Sequence, residues 1–477
     1  MLQSDALAVI EQIEAALPVE TWTSHGFRVW PLVRLYLAFT LPSVAQASPQ
    51  ASWLARARQA RGRVLRAGLE GWQGAGDAAG PLACDAMFIS HSAACSVVDG
   101  HGRNRLCDPV ADALAGCGLR AAMLNVGEPD QAPRRIPGHY LQPRLDRVRL
   151  NALFARRGTR LALPELEVFL RPRFGERFTG LGQVIGARAA LVRALAEEFK
   201  VWLVSSGARL GCQGNYYAPY GMAFNLACRE LGLPVVDIQH GVAGDANVAY
   251  GRWRRMPPGG YALLPSAFWC WTAADAAAVE HWGATGIVGG NPMLDVSPDP
   301  RTEAGLRELA SVDAPHVLYT LQGIEPAAEL DRLFQAIALR PGWCWWLRCH
   351  PARPEQAAAL ADRAARQGDT RIEIARASEP PLPALMRHAH AHATGFSATV
   401  LEAEALGVPS VVCHPDARWL LAPQLARGSA VFAATAEELV AALEACLAAG
   451  TCASNPADPR ALDRLVALMP PPTRGAA

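Results

Sequence analysis

From residue 86 onward, short apolar segments alternate with longer segments of helical periodicity, and this alternation constrains the fold more than any other feature. Each apolar segment ends in a small group of polar residues or glycines. Such alternation is typical of βαβ units, which build parallel sheets covered by helices. The chain has 477 residues, whereas a single domain usually has about 150. We therefore expect an α/β protein with two doubly wound domains.

The predicted strands form two series, separated by a segment of small residues at Gly289–Pro292. The first series comprises 86–89, 121–126, 201–204, 235–238, 268–271 and 286–288, and the second comprises 316–321, 343–347, 371–374, 390–393 and 408–413. We predict a helical N-terminal extension at 1–80, a Rossmann-like domain at 81–292 and a second Rossmann-like domain at 293–477. Ligands of open α/β sheets bind beyond the carboxyl ends of the strands, so two facing domains would form a cleft there.

Turn-forming residues refine this outline. Pro31 and Pro42 are expected to break the segment after the first helix, and 71–80 is expected to be a linker of small residues. Asp108 is expected to cap a helix that has Pro109 at its first position.

Composition narrows the classes of partner. The net charge is +1, which provides no general attraction to nucleic acid. The 12 cysteines include no Cys-x-x-Cys pair, so structural zinc is not expected. We expect instead reduced thiols in the cytoplasm. The apolar run 35–41 is far shorter than the roughly 20 residues of a membrane-spanning helix. His388, His390 and His392 alternate as in a strand, but no further ligand is spaced to complete a metal site.

The region 21–69 departs from this neutral balance because it contains no acidic residue. Arginines and aromatic residues alternate along it: Trp22, Arg28, Trp30, Arg34, Tyr36, Phe39, Trp53, Arg56, Arg58, Arg61, Arg63 and Arg66. Such a surface suits peripheral contact with anionic lipid, which would place the protein at the inner face of the inner membrane. The alternative is a solvated arginine face with its aromatic residues in the core.

In the second half, polar groups follow three predicted strands. Gln322-Gly323 follows the first, Arg348-Cys349-His350-Pro351 the second, and Thr394-Gly395-Phe396-Ser397 the fourth, ahead of a helix that carries Glu402. Backbone N–H groups and a serine at a helix start can bind phosphate, and Arg348 with His350 can add positive charge. Glu402 can accept hydrogen bonds from sugar hydroxyls. The alternative is that Ser397 only caps the helix and His350 only shapes a turn.

The pattern Arg-x-His-Pro, then Ser-x4-Glu and Gly-x-Pro, resembles the donor half of GT-B glycosyltransferases. It is especially similar to the capsule and teichoic-acid polymerase groups, which use CMP- or CDP-activated donors. The resemblance covers about residues 230 to 415. It implies that His350, Pro351 and Ser397 contact the donor, with Glu402 as the matching glutamate. Ala398 stands where many relatives have a second serine, and Gly290-Asn291-Pro292 is similar to the interdomain segment.

In the first half, Gln239-His240-Gly241 follows the strand 235–238 and resembles the cleft-facing loop of the same transferases. A histidine there can deprotonate an acceptor hydroxyl, because its ordinary pKa is near neutral pH. The alternative is that His240 holds the loop or hydrogen-bonds donor phosphate. Asp237 is expected to be buried, and it is not expected to orient His240 because neighbouring strand residues point to opposite faces.

We predict acceptor-binding residues at the ends of other strands of this half: Ser90, His91, Tyr216, Tyr217 and Gln239. A loop with Asp99, Gly100 and Gly102 follows the first strand. The tyrosines offer ring faces for a sugar, and the alternative for them is loop packing.

Together with the resemblance, these residues predict a glycosyltransferase of GT-B type, with the donor on the second domain and the acceptor on the first. The resemblance implies a CMP- or CDP-linked donor and a capsule or lipopolysaccharide glycan as acceptor. No cofactor is expected beyond the nucleotide-sugar substrate, and no metal, because there is no Asp-x-Asp motif. The alternatives are a UDP-sugar transferase, a sugar-nucleotide epimerase using carboxylates such as Glu325 and Glu402, or a non-catalytic component of polysaccharide assembly.

Overall fold

A computed structural model gives the fold of the chain and describes residues 3–44, 82–98, 100–129, 132–154, 161–294, 298–323, 325–351, 353–366, 368, 371–450 and 457–471. It contains two compact units, Met1–Pro292 together with Ala457–Ala477, and Met293–Pro456. The tail from Ala457 therefore belongs to the first unit, whereas the predicted domain 293–477 placed it in the second. The Asp458 N–H donates to the Val288 carbonyl (2.9 Å), and Arg209 donates to the Pro470 carbonyl (2.8 Å), which attaches the tail to the first unit.

The first unit is built on a seven-stranded parallel sheet. Two small antiparallel hairpins accompany it: β1 (Thr23–Ser24) with β2 (Phe27–Arg28), and β4 (Cys95–Val98) with β5 (His101–Asn104). The sheet strands are β3 (Ala86–His91), β6 (Ala121–Val126), β7 (Gly138–Tyr140), β8 (Leu210–Gln213), β9 (Val235–Ile238), β10 (Ala267–Cys270) and β11 (Thr285–Val288). Their spatial order is β11-β10-β9-β8-β3-β6-β7.

Helices cover this sheet and connect its strands. They are α1 (Gln3–Ala16), α2 (Trp30–Val44), α3 (Cys107–Gly116), α4 (Gln142–Phe154), α5 (Pro164–Phe174), α6 (Leu181–Ser206), α7 (Pro219–Glu230), α8 (Ala273–Glu280) and, from the tail, α18 (Ala461–Ala467). Their apolar faces and one face of the sheet form a continuous core that includes Trp30, Phe199, Phe224 and Phe268.

The second unit contains a six-stranded parallel sheet. Its strands are β12 (His316–Thr320), β13 (Cys344–Arg348), β14 (Arg371–Glu373), β15 (Ala391–Thr394), β16 (Ser410–Val412) and β17 (Ala430–Phe432), in the spatial order β14-β13-β12-β15-β16-β17. Its helices are α9 (Pro300–Leu309), α10 (Ala327–Leu339), α11 (Gln356–Ala365), α12 (Ala375–Ser378), α13 (Leu382–Met386), α14 (Thr399–Ala405), α15 (Ala417–Leu420), α16 (Ala422–Arg427) and α17 (Ala436–Ala449).

The two sheets confirm the predicted fold class, a pair of doubly wound Rossmann-like domains preceded by a helical extension, as in GT-B proteins. In both sheets the strands lie in the order third, second, first, fourth, fifth, sixth along the chain, and the first sheet adds its seventh strand, β11, after the sixth. The direction of winding therefore reverses between β3 and β8 in the first unit and between β12 and β15 in the second. At such a switch point the connections leave in opposite directions, which opens a crevice for ligands beyond the carboxyl ends of the strands.

Three local predictions are wrong. The segment 201–204 is the end of the long helix α6, and the strand instead comes at β8, where Gly211 lets Cys228 and Phe224 approach the backbone closely. Pro31 and Pro42 both lie within α2. Pro31 is at its start, where proline is tolerated because the first N–H groups need no helical partner. Asp108 lies inside α3 and does not cap it. Asn104 Oδ1 instead accepts hydrogen bonds from the N–H groups at the start of the helix. The expected linker 71–80 lies outside the described residues.

The buried Arg34 side chain holds the N-terminal extension together and attaches it to the rest of the first unit. Arg34 of α2 and Glu14 of α1 are both fully buried and paired, and Arg34 also donates to the carbonyls of Val248 (3.2 Å) and Gly251 (2.8 Å). The Trp30 indole N–H donates to Glu14 at 2.8 Å. Arg34 and Trp30 are therefore internal and unavailable to a lipid surface, which corrects that part of the predicted membrane face. Trp53 and the arginines from 56 to 66 lie outside the described residues.

Candidate functional site

The first candidate site lies at the switch point of the first sheet, beyond the ends of β3, β8 and β9. His91 ends β3, Tyr217 follows β8, and His240 follows β9. These strands are neighbours in the sheet, so parallel pairing brings the residues that follow them to one edge. The position is the one at which doubly wound sheets bind ligands.

His240 is the central polar group of this site, which we call the first edge. Its Nε2 is 2.8 Å from the Tyr217 hydroxyl, while its Nδ1 is buried and has no hydrogen-bond partner among the described residues. Burial lowers the pKa of His240 to about 4, so the imidazole is neutral near pH 7. A neutral imidazole can accept a proton, and Nε2 is the nitrogen that a hydroxyl already reaches.

The Tyr217 ring contacts this histidine, and the His91–Tyr220 ring pair lies at the same edge of the sheet. The Tyr217 ring is 5.7 Å from the His240 ring, and the His91 ring is stacked at 5.7 Å on Tyr220, in the first turn of α7. Burial raises the pKa of Tyr220 to about 12 and that of Tyr217 further, so both hydroxyls are neutral and can donate hydrogen bonds. Burial, followed by the positive charge of Arg149, lowers the pKa of His91. The first edge thus combines neutral hydrogen-bonding groups with apolar ring faces.

Asp237 is buried and contacts neither His240 nor the edge. Its carboxylate accepts from the Tyr216 N–H (2.9 Å) and the Tyr250 hydroxyl (3.1 Å), and burial raises its pKa well above the ordinary value. It shapes the loop after β8 from below.

Three of the predicted acceptor-binding residues are internal. Gln239 is fully buried and bonds the Gly241 carbonyl and the Trp271 N–H, and Tyr216 is fully buried with its hydroxyl on the Ala249 carbonyl. Ser90 is also fully buried, and its hydroxyl accepts from Asn104 at 3.0 Å. Their polar atoms satisfy the fold, so these residues support the loops and do not present themselves to a ligand. His91 and Tyr217 keep their predicted place.

The second candidate site, the second edge, lies at the switch point between β12 and β15. The Gln322 side-chain oxygen accepts from the Phe396 N–H at 3.2 Å, which ties the loop after β12 to the loop after β15. Gly323 has a φ of +78°, and a Cβ there would lie 2.4 Å from Arg353. The turn after β13, which begins at His350, therefore also approaches this edge.

The loop after β15 packs closely at Gly395, so a side chain there would require the Glu329 carboxyl to move. A Cβ at that position would meet Glu329 Oε1 at 2.4 Å and Gln322 Oε1 at 3.3 Å. Ser397 follows, and its hydroxyl accepts from the Thr399 N–H at 3.3 Å, so it acts as a local cap. Its own hydrogen remains available to donate. Because α14 has only seven residues, its dipole adds little to anion binding.

Below these loops lies a buried chain of hydroxyls around His392. Its Nε2 is 2.9 Å from the Thr320 hydroxyl and its Nδ1 is 2.9 Å from the Ser410 hydroxyl. Thr394, predicted to contact the donor, is fully buried and donates to the Thr320 carbonyl at 2.8 Å, so its hydroxyl is used internally. Burial lowers the pKa of His392 to about 3. The histidine is a neutral hydrogen-bonding member of the core.

The remaining predicted donor residues are distributed as follows. Arg348 ends β13, is half-buried, and donates to the carbonyls of Ala377 (2.8 Å) and Pro380 (2.7 Å), so part of its guanidinium holds the segment after β14. His350 and Pro351 are exposed directly after the same strand, and Glu402 is half-buried in α14.

Two carboxylates and two rings complete the second edge; the sequence offered Glu325 only for the alternative epimerase, and it did not select Glu329, Phe396 or His414 as site residues. Glu325 accepts from the N–H groups of Gln322 and Gly323 (3.0 Å for the latter). Glu329 is buried, which raises its pKa, and it accepts from the Tyr319 hydroxyl at 3.2 Å. The Phe396 and His414 rings lie 4.6 Å apart. A carboxylate two or three residues after a glycine turn was the available signal for Glu325.

Among the residues that the structure describes, no group of three or more His, Cys, Asp or Glu side chains is arranged to bind a metal ion. His316 and His390 stack at 5.0 Å, and the His390 Nδ1 accepts from the His316 N–H, so His390, like His392, has structural contacts. Within the same residues, no helix has the length and apolar character needed to cross a bilayer.

Comparison with known proteins yields solved structures only. No family model matches the chain, and no curated protein sequence does. The chain is similar to UDP-GlcNAc 2-epimerase from Methanocaldococcus jannaschii (TM-score 0.49, 14% identity, 80% of this chain and 98% of that one). It is also similar to UDP-GlcNAc 2-epimerase from Neisseria meningitidis bound to UDP-GlcNAc (0.46, 11%, 80% and 98%) and to the glycosyltransferase of kitacinnamycin (0.46, 12%, 81% and 94%). Similarities of this size carry no argument about activity.

Proposed function

We propose that the protein is a glycosyltransferase that binds a nucleotide-activated donor at the second edge and a saccharide acceptor at the first edge. The observation that carries the proposal is that polar side chains converge at the switch point of each of the two sheets. Each unit therefore offers its own ligand crevice, as a reaction between two substrates requires. The sequence resemblance to capsule and teichoic-acid transferases supports a CMP- or CDP-linked donor and a surface glycan as acceptor.

In this proposal His240 is the general base. The acceptor hydroxyl takes the place of the Tyr217 hydroxyl at Nε2, its proton passes to the imidazole, and its oxygen bonds the anomeric carbon. The bond from that carbon to the phosphate oxygen breaks, and the nucleotide leaves with the electron pair. A pKa of about 4 makes His240 a weak base in the unliganded protein. A donor phosphate nearby would raise that pKa, because an anion stabilises the protonated imidazole.

At the second edge, the exposed His350 and the Ser397 hydroxyl are the proposed donor contacts. Binding would be measured by thermal unfolding of the full chain with CMP, CDP, UDP and GDP, with and without Mg²⁺. A nucleotide at a hundred times its dissociation constant stabilises the native state by about 2.7 kcal/mol. We expect a shift with one nucleotide, independent of metal. His350→Ala should erase it, and the matched control His388→Ala, in the same unit, should retain it. Equal shifts in both variants would remove His350 from the site.

A sugar-nucleotide epimerase is the second candidate, and Glu329 is the observation that favours it. A buried carboxyl with a raised pKa beside the loops of the second edge is the kind of group that moves protons in an active site. The two candidates differ in their need for an acceptor. An epimerase converts a nucleotide sugar into its isomer with no second substrate, whereas a transferase releases the nucleotide. Analysis of the products by NMR after incubation with a UDP-, CMP- or CDP-sugar distinguishes them.

A further inference from the structure

Phe39, in helix α2 of the N-terminal extension, has a large apolar side chain that the structure leaves 62% exposed. Its ring centroid lies 6.2 Å from that of Tyr217, at an interplanar angle of 39°. Tyr217 in turn bonds His240. A residue of the extension therefore stands next to the pair that carries the proposed chemistry.

The position of Phe39 is fixed by the rest of its helix. Leu35, Leu37 and Leu41 of α2 are buried, and the Arg34–Glu14 ion pair anchors the same helix. One exposed apolar residue is common on protein surfaces and needs no explanation by itself. Phe39 differs because it extends a line of rings that leads to His240, in a helix that cannot easily turn away.

We propose that Phe39 forms one wall of an acceptor-saccharide site and stacks on the apolar C–H face of a pyranose ring whose hydroxyl faces His240. This inference rests on the proposed function, which places the acceptor at the first edge. Ligand sites usually combine apolar and aromatic walls with a few convergent polar groups. Phe39 and the Tyr217 ring supply the wall, and the Tyr217 hydroxyl and His240 Nε2 supply the polar groups. The stacked His91–Tyr220 pair bounds the same edge.

The saccharide is favoured over a lipid surface by what surrounds Phe39. Its nearest aromatic partner presents a hydroxyl bonded to an imidazole, a pair that can also hydrogen-bond sugar hydroxyls, whereas hydrocarbon offers it neither donor nor acceptor. The extension, which the sequence suggested as a membrane contact, would then be a part of the substrate site.

The test is saturation-transfer NMR on the full chain without nucleotide, using methyl glycosides of glucose, galactose, N-acetylglucosamine and mannose as probes. We expect transfer to the ring C–H protons of at least one glycoside. Phe39→Ala should weaken its binding about fivefold, since an aromatic contact contributes about 1 kcal/mol. Phe39→Trp should keep the binding. Val168→Ala, which shortens another exposed apolar side chain in the first unit (63% exposed), should not change it.

Equal binding by Phe39→Ala, or no binding of any glycoside by the wild type, overturns the inference. So does a loss of co-sedimentation with phosphatidylglycerol vesicles in Phe39→Ala while glycoside binding is unchanged, since Phe39 would then be a lipid contact. The nucleotide titration is a separate measurement. Phe39-dependent glycoside binding without any nucleotide binding would leave Phe39 as a saccharide contact and remove the transferase proposal, and with it the acceptor role. Nucleotide binding with Phe39-independent glycoside binding would overturn this inference and leave the transferase proposal standing.

Discussion

The two edges occupy the same topological position in their sheets and differ in chemistry. The first edge is walled by aromatic rings and centred on one histidine whose Nε2 contacts a hydroxyl. The second edge consists of backbone N–H groups, a serine hydroxyl and carboxylates, with glycines where the loops touch. Under the proposed function, this difference matches two substrates, a sugar with apolar and hydroxyl faces at the first edge and a charged, flexible donor at the second.

The largest expected effect is on turnover, when the proposed general base is removed from the first edge. His240→Ala should lower turnover by about 10²- to 10⁴-fold, the usual contribution of a general base, and leave nucleotide affinity within a factor of two. Nucleotide release in the presence of acceptor measures the first quantity, and thermal shift measures the second. His281→Ala, an exposed histidine at the end of α8, is the matched control. A tenfold loss of nucleotide affinity in His240→Ala would move this histidine to the donor.

The next effect is on the stability of the first unit, when the buried ion pair between Glu14 and Arg34 is broken. Glu14→Ala leaves the Arg34 charge buried without its partner, which should destabilise the first unit by about 3–5 kcal/mol. The second unit contains neither residue and should be unchanged. Hydrogen exchange, followed peptide by peptide, separates the two. Glu11→Ala removes ion pairs to exposed Arg252 and Arg254 and should cost less than about 1 kcal/mol. Equal losses in the two variants would show that the buried pair has no special weight.

Acid sharpens the comparison because each unit contains a histidine whose pKa burial lowers strongly, His240 in the first and His392 in the second. Their pKa values in the folded protein, about 4 and about 3, are below the ordinary value of about 6.5. The unfolded chain therefore binds protons first as the pH falls, so stability is complete above pH 6.5 and is lost toward the folded pKa. Each histidine should contribute about 1.4 kcal/mol per pH unit within its window.

Urea unfolding of the wild type, His240→Gln and His392→Gln between pH 7 and pH 3 measures these slopes. Each variant should lose part of the pH dependence, and only His392→Gln should still differ in slope from the wild type below about pH 4. Unchanged slopes in His392→Gln would mean that the buried hydroxyl chain accommodates the charged ring.

The smallest effect is at the second edge. Ser397→Ala removes one hydroxyl from the proposed donor contacts and should weaken nucleotide binding about five- to tenfold, the equivalent of one hydrogen bond. Isothermal titration with the nucleotide found by thermal shift measures it. Ser311→Ala, which removes an exposed hydroxyl of the same unit, should bind as the wild type does. An unchanged affinity in Ser397→Ala would restrict this serine to capping Thr399.

Strand positions could be read from the sequence because buried parallel strands are short runs of apolar residues. The segments 121–126 and 235–238 coincide with β6 and β9 to the residue. The segment 201–204 was misleading because a short apolar run can also occur in a helix. Trp202 and Leu203 are buried against the core, whereas Val201 and Val204 are exposed. The true strand, β8, contains Gly211 and ends in a polar residue, so it is not a run of apolar residues. The glycine is explained by the close approach of α7, which a sequence pattern does not show.

Site residues were harder to predict, because a strand-end position does not reveal which way a side chain points. Gln239 and His240 are adjacent, yet the first is fully buried and the second contacts Tyr217 at the edge. Phe39 is about 180 residues from Tyr217 in the chain, and no local pattern links them. Pairings of this kind depend on tertiary packing, which a single sequence does not encode in its spacing.

The tail on strand β11 gives the two units different schedules during synthesis. The unit Met293–Pro456 is one continuous stretch, so it can close its sheet as soon as it has left the ribosome. The first unit, although made earlier, waits for residues 457–471 before Val288 and Arg209 obtain their partners. A nascent chain that stalls after residue 456 therefore carries a complete second unit and an incomplete first unit, so the half that is made first is completed last.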